Sequence, residues 1–142
     1  MLEVSESLLD ALKERVIGCA INVHRVFGPG LLESIYQRCM VIELRAAGLS
    51  VERERRVSLK YRDQRIGLGL KIDLIVSGCL NVEVKAVERI HPVHLAQVIT
   101  YLKLTGLPEG LLMNFNTTSL RSGLRLVVHP DLYNARRLAG RT

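Results

Sequence analysis

Tryptophan is absent from this 142-residue chain, and four tyrosines with two phenylalanines are all the aromatic rings it has. With aromatics at 4%, base stacking has little to work with, so a nucleic-acid ligand would be held mostly through its phosphates. The three cysteines, Cys19, Cys39 and Cys79, are odd in number and include no CxxC pair. That spacing argues against a disulfide framework and a cysteine zinc site, and it fits a reducing cytoplasm. No apolar run approaches the ~20 residues of a membrane-spanning helix, so no membrane partner is expected. The opening MLEVSESLLDALKERV has acids where a signal peptide needs a basic region, so export is not expected either. No GxxxxGK[ST] follows Gly28-Pro29-Gly30, which leaves turn geometry as the account of that stretch.

What is present is ordinary for a globular chain, 48% hydrophobic and 24% charged, at a length that suits one domain. We read a single domain over residues 1–130 and a basic tail over 131–142 that carries Arg136, Arg137 and Arg141. The net charge of +6 comes mainly from arginine, whose planar fork suits phosphate oxygens, so nucleic acid is a candidate partner.

Hydrophobic spacing sets the order of elements. Leu8, Leu9, Leu12, Val16, Cys19, Ala20, Val23 and Phe27 recur at three- and four-residue intervals, which predicts a helix capped by Ser5. Gly28-Pro29-Gly30 ends it, and a second helix runs to Gly48. A period-two strand is predicted from Val51 to Tyr61, with Val57, Leu59 and Tyr61 on one face. After a turn at Arg62-Asp63-Gln64, RIGLGLKIDLIV reads as a second strand in which Gly67 and Gly69 permit a bend or a close backbone approach. Ser77-Gly78 turns into a third strand, LNVEVKAV, and Pro92 opens a helix closed by Gly106. GLLMNF and GLRLVVH read as buried strands. The order α, α, β, β, β, α, β, β predicts an α/β or α+β sheet flanked by helices.

Chemistry concentrates in the third strand. Side chains alternate, so Glu83 and Lys85 share one face and Val82 and Val84 the other. A hairpin centred on Gly78 would put Asp73 opposite Glu83. Two carboxylates in one place repel, and a divalent cation with oxygen preference, Mg2+ or Mn2+, would relieve the repulsion. Such a cation acidifies water and stabilises the charge of an in-line displacement, and Lys85 would orient the attacking water or stabilise the transition state. Taken alone the E-x-K triplet is weak, since a cross-strand ion pair explains most of them. Here, however, it is followed by a helix in which Gln97 and Tyr101 share a face.

Asp73, then Glu83-Val84-Lys85, then Gln97 and Tyr101 four apart, resemble the active-site pattern of the PD-(D/E)XK nuclease superfamily with the QxxxY helix of its RecB-type exonucleases. The run GPGLLESIY, KIDLIV, VEVKAV, HLAQVITYLKLTG, GLLMNF more closely resembles the small bacterial GxxExxY proteins, with Gly30, Glu33 and Tyr36 in the naming motif. The resemblance implies a restriction-endonuclease-like α/β fold, a mixed β-sheet core flanked by α-helices. It implies metal binding by Asp73, Glu83, the Val84 carbonyl and Glu33, and catalysis by Lys85, with Gln97 and Tyr101 lining the site. Ile72 stands where the superfamily's Pro often precedes the acid.

Without the resemblance, Glu33 reads as a first-turn acid favoured by the helix dipole, Gln97 as a surface amide and Tyr101 as a core-edge aromatic. His24 reads as a structural residue at a helix C-terminus, and His91 with His94 lacks a third metal ligand nearby. Arg53, Arg55, Arg56, Lys60 and Lys71, with Arg62 and Arg65, would guide a polyanion across the first hairpin. The expected function is a metal-dependent nuclease acting on DNA. A non-catalytic binding module with the same fold is the alternative, and a symmetric homodimer is a further expectation.

Overall fold

A computed structural model describes residues 4–67 and 69–140. Arg141 of the expected tail and Leu68 of the expected second strand lie outside them. Helix α1 runs Glu6–Phe27, and Ser5 Oγ accepts from Leu8 N at 3.1 Å, so the expected cap is in place. Helix α2 runs Glu33–Ala46, and α3 runs Pro92–Thr105, ending on Gly106 in the left-handed conformation. Five strands form the main sheet: β1 Val51–Val57, β4 Leu70–Val76, β5 Leu80–Lys85, β6 Glu109–Asn114 and β7 Leu124–Val128. Their order is β1-β4-β5-β6-β7, with only the β5–β6 pair parallel. Helix α3 makes the crossover that a parallel pair requires.

The core has two parts, one on each face of the sheet. Val16, Val23, Tyr36, Met40 and Leu44 from α1 and α2 pack on Leu74, Val76, Val82, Val84 and Met113. On the other face Val98, Tyr101 and Leu102 of α3 pack on Ile72, Ile75, Leu112 and Val127. Helix α3 lies so close to β6 that a Cβ at Gly110 would come within 2.7 Å of Val98 Cγ1.

Three expectations are corrected. The strand expected over Val51–Tyr61 stops at Val57, and Lys60–Tyr61 (β2) forms a separate two-stranded hairpin with Gln64–Arg65 (β3). Positive φ at Arg62 and Asp63 gives the tight turn whose twist suits a hairpin, so Tyr61 projects into solvent instead of sharing a face with Val57. The second strand correspondingly begins at Leu70, because Gly69 passes against β1. A Cβ there would stand 1.4 Å from the Val57 carbonyl oxygen. The last strand, β7, is a sheet edge with Arg125 and Leu126 exposed, so GLRLVVH is not a buried strand.

Helix α4, Pro130–Leu138, follows β7. Its Arg136 donates to Glu109 Oε2 at 2.7 Å, and Lys13 of α1 donates to the other oxygen of the same fully buried carboxylate. One acid at the start of β6 thus fastens both helices, as a buried charge must be paired.

Candidate active site

The hairpin of β4 and β5 turns about Gly78 as expected, with Leu74 paired to Val82 and Val76 to Leu80. The pairing stops at Leu74, so the next two residues, Asp73 and Glu83, face each other without a ladder between them. Glu83 Oε1 accepts from Asp73 N at 3.2 Å, and Asp73 Oδ2 accepts from Val84 N at 2.9 Å. The carboxylates occupy the space where main-chain carbonyls would have been.

A backbone irregularity opens that space. Leu70 and Ile72 pack toward α3, whereas Leu74 and Val76 pack toward α1 and α2, so the alternation of β4 slips phase at Asp73. Across from Asp73, Glu54 of β1 has φ +52, a left-handed conformation uncommon for a glutamate. Strained backbone of this kind clusters at functional sites.

Glu83 is almost fully buried. Burial first, and then the charge of Asp73, push its carboxyl up to about 9. Burial also raises Asp73, opposed by the Val84 N–H and by Lys85. Both carboxyls are thus easier to protonate than free ones, which relieves the repulsion of two close negative charges. Lys85, half-buried two residues on, counters the charge of both acids. Tyr101 of α3 packs with Ile72, the neighbour of Asp73, and Leu112, the β6 partner of Glu83, and its hydroxyl is pushed up to about 12, mainly by burial and then by Glu83 and Asp73.

The other expected residues stand at the rim. Glu33 is exposed at the start of α2 and accepts from Ala86 N at 3.3 Å, just past Lys85. Gln97 is exposed one turn before Tyr101. The Val84 N–H points to Asp73, and a residue's N–H and C=O leave a strand on the same side, so its carbonyl is directed to the splayed gap. The structure thus brings Asp73, Glu83, Lys85 and Tyr101 together. Glu33 is tied to the main chain beside them.

Arg53, Arg55 and Arg56 are exposed on edge strand β1, with Lys71 beside them and Lys60 on the small hairpin. Arg53 Nε donates to Gln37 Oε1 at 2.7 Å, Arg55 pairs with Glu52 at 3.5 Å, and Lys71 lies 3.9 Å from Glu54. The phase slip at Glu54 sends Arg53 to the α2 side and Arg55 to the α3 side, so the cluster is split between faces.

Three residues to which the sequence reading gave no role at the site contribute to it. Asn114 accepts from Val87 N and donates to Val87 O, holding the loop after Lys85. Tyr36 Oη donates to the Gly28 carbonyl and accepts from Leu31 N at 3.2 Å, so it braces the Gly-Pro-Gly turn that delivers Glu33. His94 feels Lys85 and Glu33, although burial is the main cause of its lowered pKa. Tyr36 had a signal in its place three residues after Glu33 and His94 in its spacing from His91, whereas Asn114 had none.

Two carboxylates and a carbonyl form an all-oxygen donor set that fits a small hard cation such as Mg2+, which keeps several of its waters when bound. Among the described residues, no group of three or more His, Cys, Asp and Glu gathers closely enough to hold a metal on its own.

No curated protein and no solved structure matches the chain. A family model described as the PD-(D/E)XK nuclease superfamily matches residues 10–127. The mixed five-stranded sheet between helices is the restriction-endonuclease-like α/β fold. Because the match runs from within α1 almost to the end of β7, with the splayed hairpin at its centre, the chain belongs to the PD-(D/E)XK nuclease superfamily.

Proposed function

We propose that this chain is a nuclease of the GxxExxY kind that hydrolyses phosphodiester bonds in DNA and uses Mg2+ or Mn2+. The superfamily implies nucleic acid as the substrate. The observation that carries the reading is the meeting of Asp73 and Glu83 in a gap between strands, with Lys85 beside them. A buried pair of carboxylates that repel each other gains most from a divalent charge between them.

Asp73, Glu83 and the Val84 carbonyl would hold the cation, and Glu33 would reach it through water. When bound, the cation supplies Lewis-acid polarisation and a more acidic water. Lys85 orients the attacking water and stabilises the negative charge that builds on the phosphoryl oxygens. Tyr101 closes the apolar side of the gap and keeps bulk water from the acids, and Gln97 meets the substrate backbone at the rim. The three cysteines are free, which supports the reducing cytoplasm as its location. A homodimer that brings two sites to one duplex is part of the proposal, and light scattering reads it directly.

One observation favours a binding module without catalysis: Glu33 spends a carboxylate oxygen on Ala86 N instead of converging on the other acids. Labelled DNA and RNA incubated with Mn2+ separate the two readings. Cleavage by the wild type that disappears in Lys85→Ala supports the nuclease. Cleavage that persists unchanged in the variant, or none at all, refutes it.

A further inference from the structure

Two of the β1 arginines are engaged, Arg53 by Gln37 and Glu54 and Arg55 by Glu52. The guanidinium groups of Arg25 in the last turn of α1 and Arg121 in the 3-10 helix Leu120–Gly123 differ: among the described residues neither has an ion pair or a hydrogen bond. Both line one cavity of about 320 Å3, together with His24, Thr118 and Ser119. His24 Nε2 lies 2.8 Å from the Thr117 carbonyl, which only accepts, so Nε2 carries the hydrogen. That bond ties the two walls of the cavity together. Two free guanidinium groups and two hydroxyls around a braced hollow are the donor set of an oxyanion site.

The loop that lines the cavity leaves β6 at the end of the sheet where Lys85 lies. Lys85 pairs with Asn114, and the next residue, Phe115, donates its N–H to the Lys85 carbonyl at 2.8 Å. The Phe115 ring lies 6.3 Å from that of His24, and the loop bearing Thr118 and Ser119 follows directly.

We infer that the Arg25–Arg121 cavity holds a backbone phosphate of the nucleic acid, a few nucleotides from the bond at the acids. The inference rests on the nucleic-acid reading above. Its chemistry is shared with free inorganic phosphate, so the test has two arms.

In the first arm, anisotropy of labelled DNA is titrated with wild type, Arg25→Gln and Arg121→Gln, with calcium present, over a series of salt concentrations. Each substitution should weaken binding about tenfold, as expected on losing a charge-assisted hydrogen bond, and lower the salt slope by about one. Calorimetric Mn2+ binding and thermal midpoints should stay at wild-type values, since both side chains are exposed. In the second arm, the His24 ring is followed by NMR during titration with inorganic phosphate. Unchanged DNA affinity and slope in both variants would overturn the inference while leaving the nuclease intact, and a phosphate response at His24 would then assign the cavity to the free anion. Wild type that binds no nucleic acid would overturn the inference and the nuclease reading together. DNA binding that falls in the variants of a chain that never cleaves would keep the cavity and discard only catalysis.

Discussion

Asp73 and Glu83 each take a hydrogen bond from the other's strand, Glu83 Oε1 from Asp73 N at 3.2 Å and Asp73 Oδ2 from Val84 N at 2.9 Å. Side chains have replaced a rung of the ladder, so the hairpin stays open while its main-chain donors stay satisfied. This arrangement keeps two acids close in a nearly dry place, and the first prediction follows from what that does to their protons.

Glu83 rises from an ordinary value of 4.5 to about 9 through burial and the neighbouring charge. Between those values the folded protein holds a proton that the unfolded chain has released, so stability is greatest at the acid end and falls as pH rises through the window. The thermal midpoint of metal-free protein should therefore drop from pH 5 toward pH 9. Glu83→Gln should flatten the slope and raise the midpoint at pH 8, because a neutral amide needs no proton. Calorimetry of the wild type in buffers of different ionisation enthalpy should also show proton release on Mn2+ binding, greater at pH 7 than above pH 9.

The roles of acids and amine separate in binding experiments. Asp73→Asn and Glu83→Gln should lose Mn2+ binding, since each removes a charged oxygen donor. Lys85→Met should keep it, yet cleave about 10²-fold to 10³-fold more slowly, the usual cost of removing one stabiliser of a developing charge. A Lys85→Met variant that also fails to bind Mn2+ would mean that the amine holds the pocket together instead of serving the reaction.

How far the sequence disclosed this site depends on which residues set it. Ser5, Gly48, Pro92 and Gly106 act through local backbone preferences, so the helix ends were legible. Alternation about Gly78 was enough to bring Asp73 to Glu83. The phase slip at Glu54 and Asp73 was not legible, because a left-handed glutamate is imposed by neighbouring strands and has no signature of its own. The Arg25–Arg121 cavity was hidden for a similar reason, since α1 and the loop after β6 lie far apart in sequence.

Tyr36 shows how a motif tyrosine can serve a site without touching it. It is fully buried, stacks on Phe115 with ring centroids 4.6 Å apart, and satisfies the Gly28 carbonyl and the Leu31 N–H with one hydroxyl. Tyr36→Phe keeps the stacking and strands both main-chain groups, so it should cost about 1–3 kcal/mol in urea unfolding. Affinity for Mn2+ should fall little, because the acids on β4 and β5 do not depend on the turn. Rates should fall more, since Glu33 follows that turn directly.

Asn81 poses the opposite case, a polar group with nothing to bond. It lies on β5 two residues before Glu83 and on the same face, between Ile75 and Gly110 on the neighbouring strands, and it is completely buried. Among the described residues neither its Oδ1 nor its Nδ2 has a hydrogen-bond partner. An amide desolvated without compensation costs about 1–3 kcal/mol, and an apolar group of similar shape removes that cost. Asn81→Leu should accordingly raise the urea midpoint, with the slope of the transition unchanged. The substitution leaves both acids and Lys85 in place, so Mn2+ binding should survive it. A midpoint that falls instead would show that crowding by the larger side chain in this closely packed place outweighs the relief of the amide.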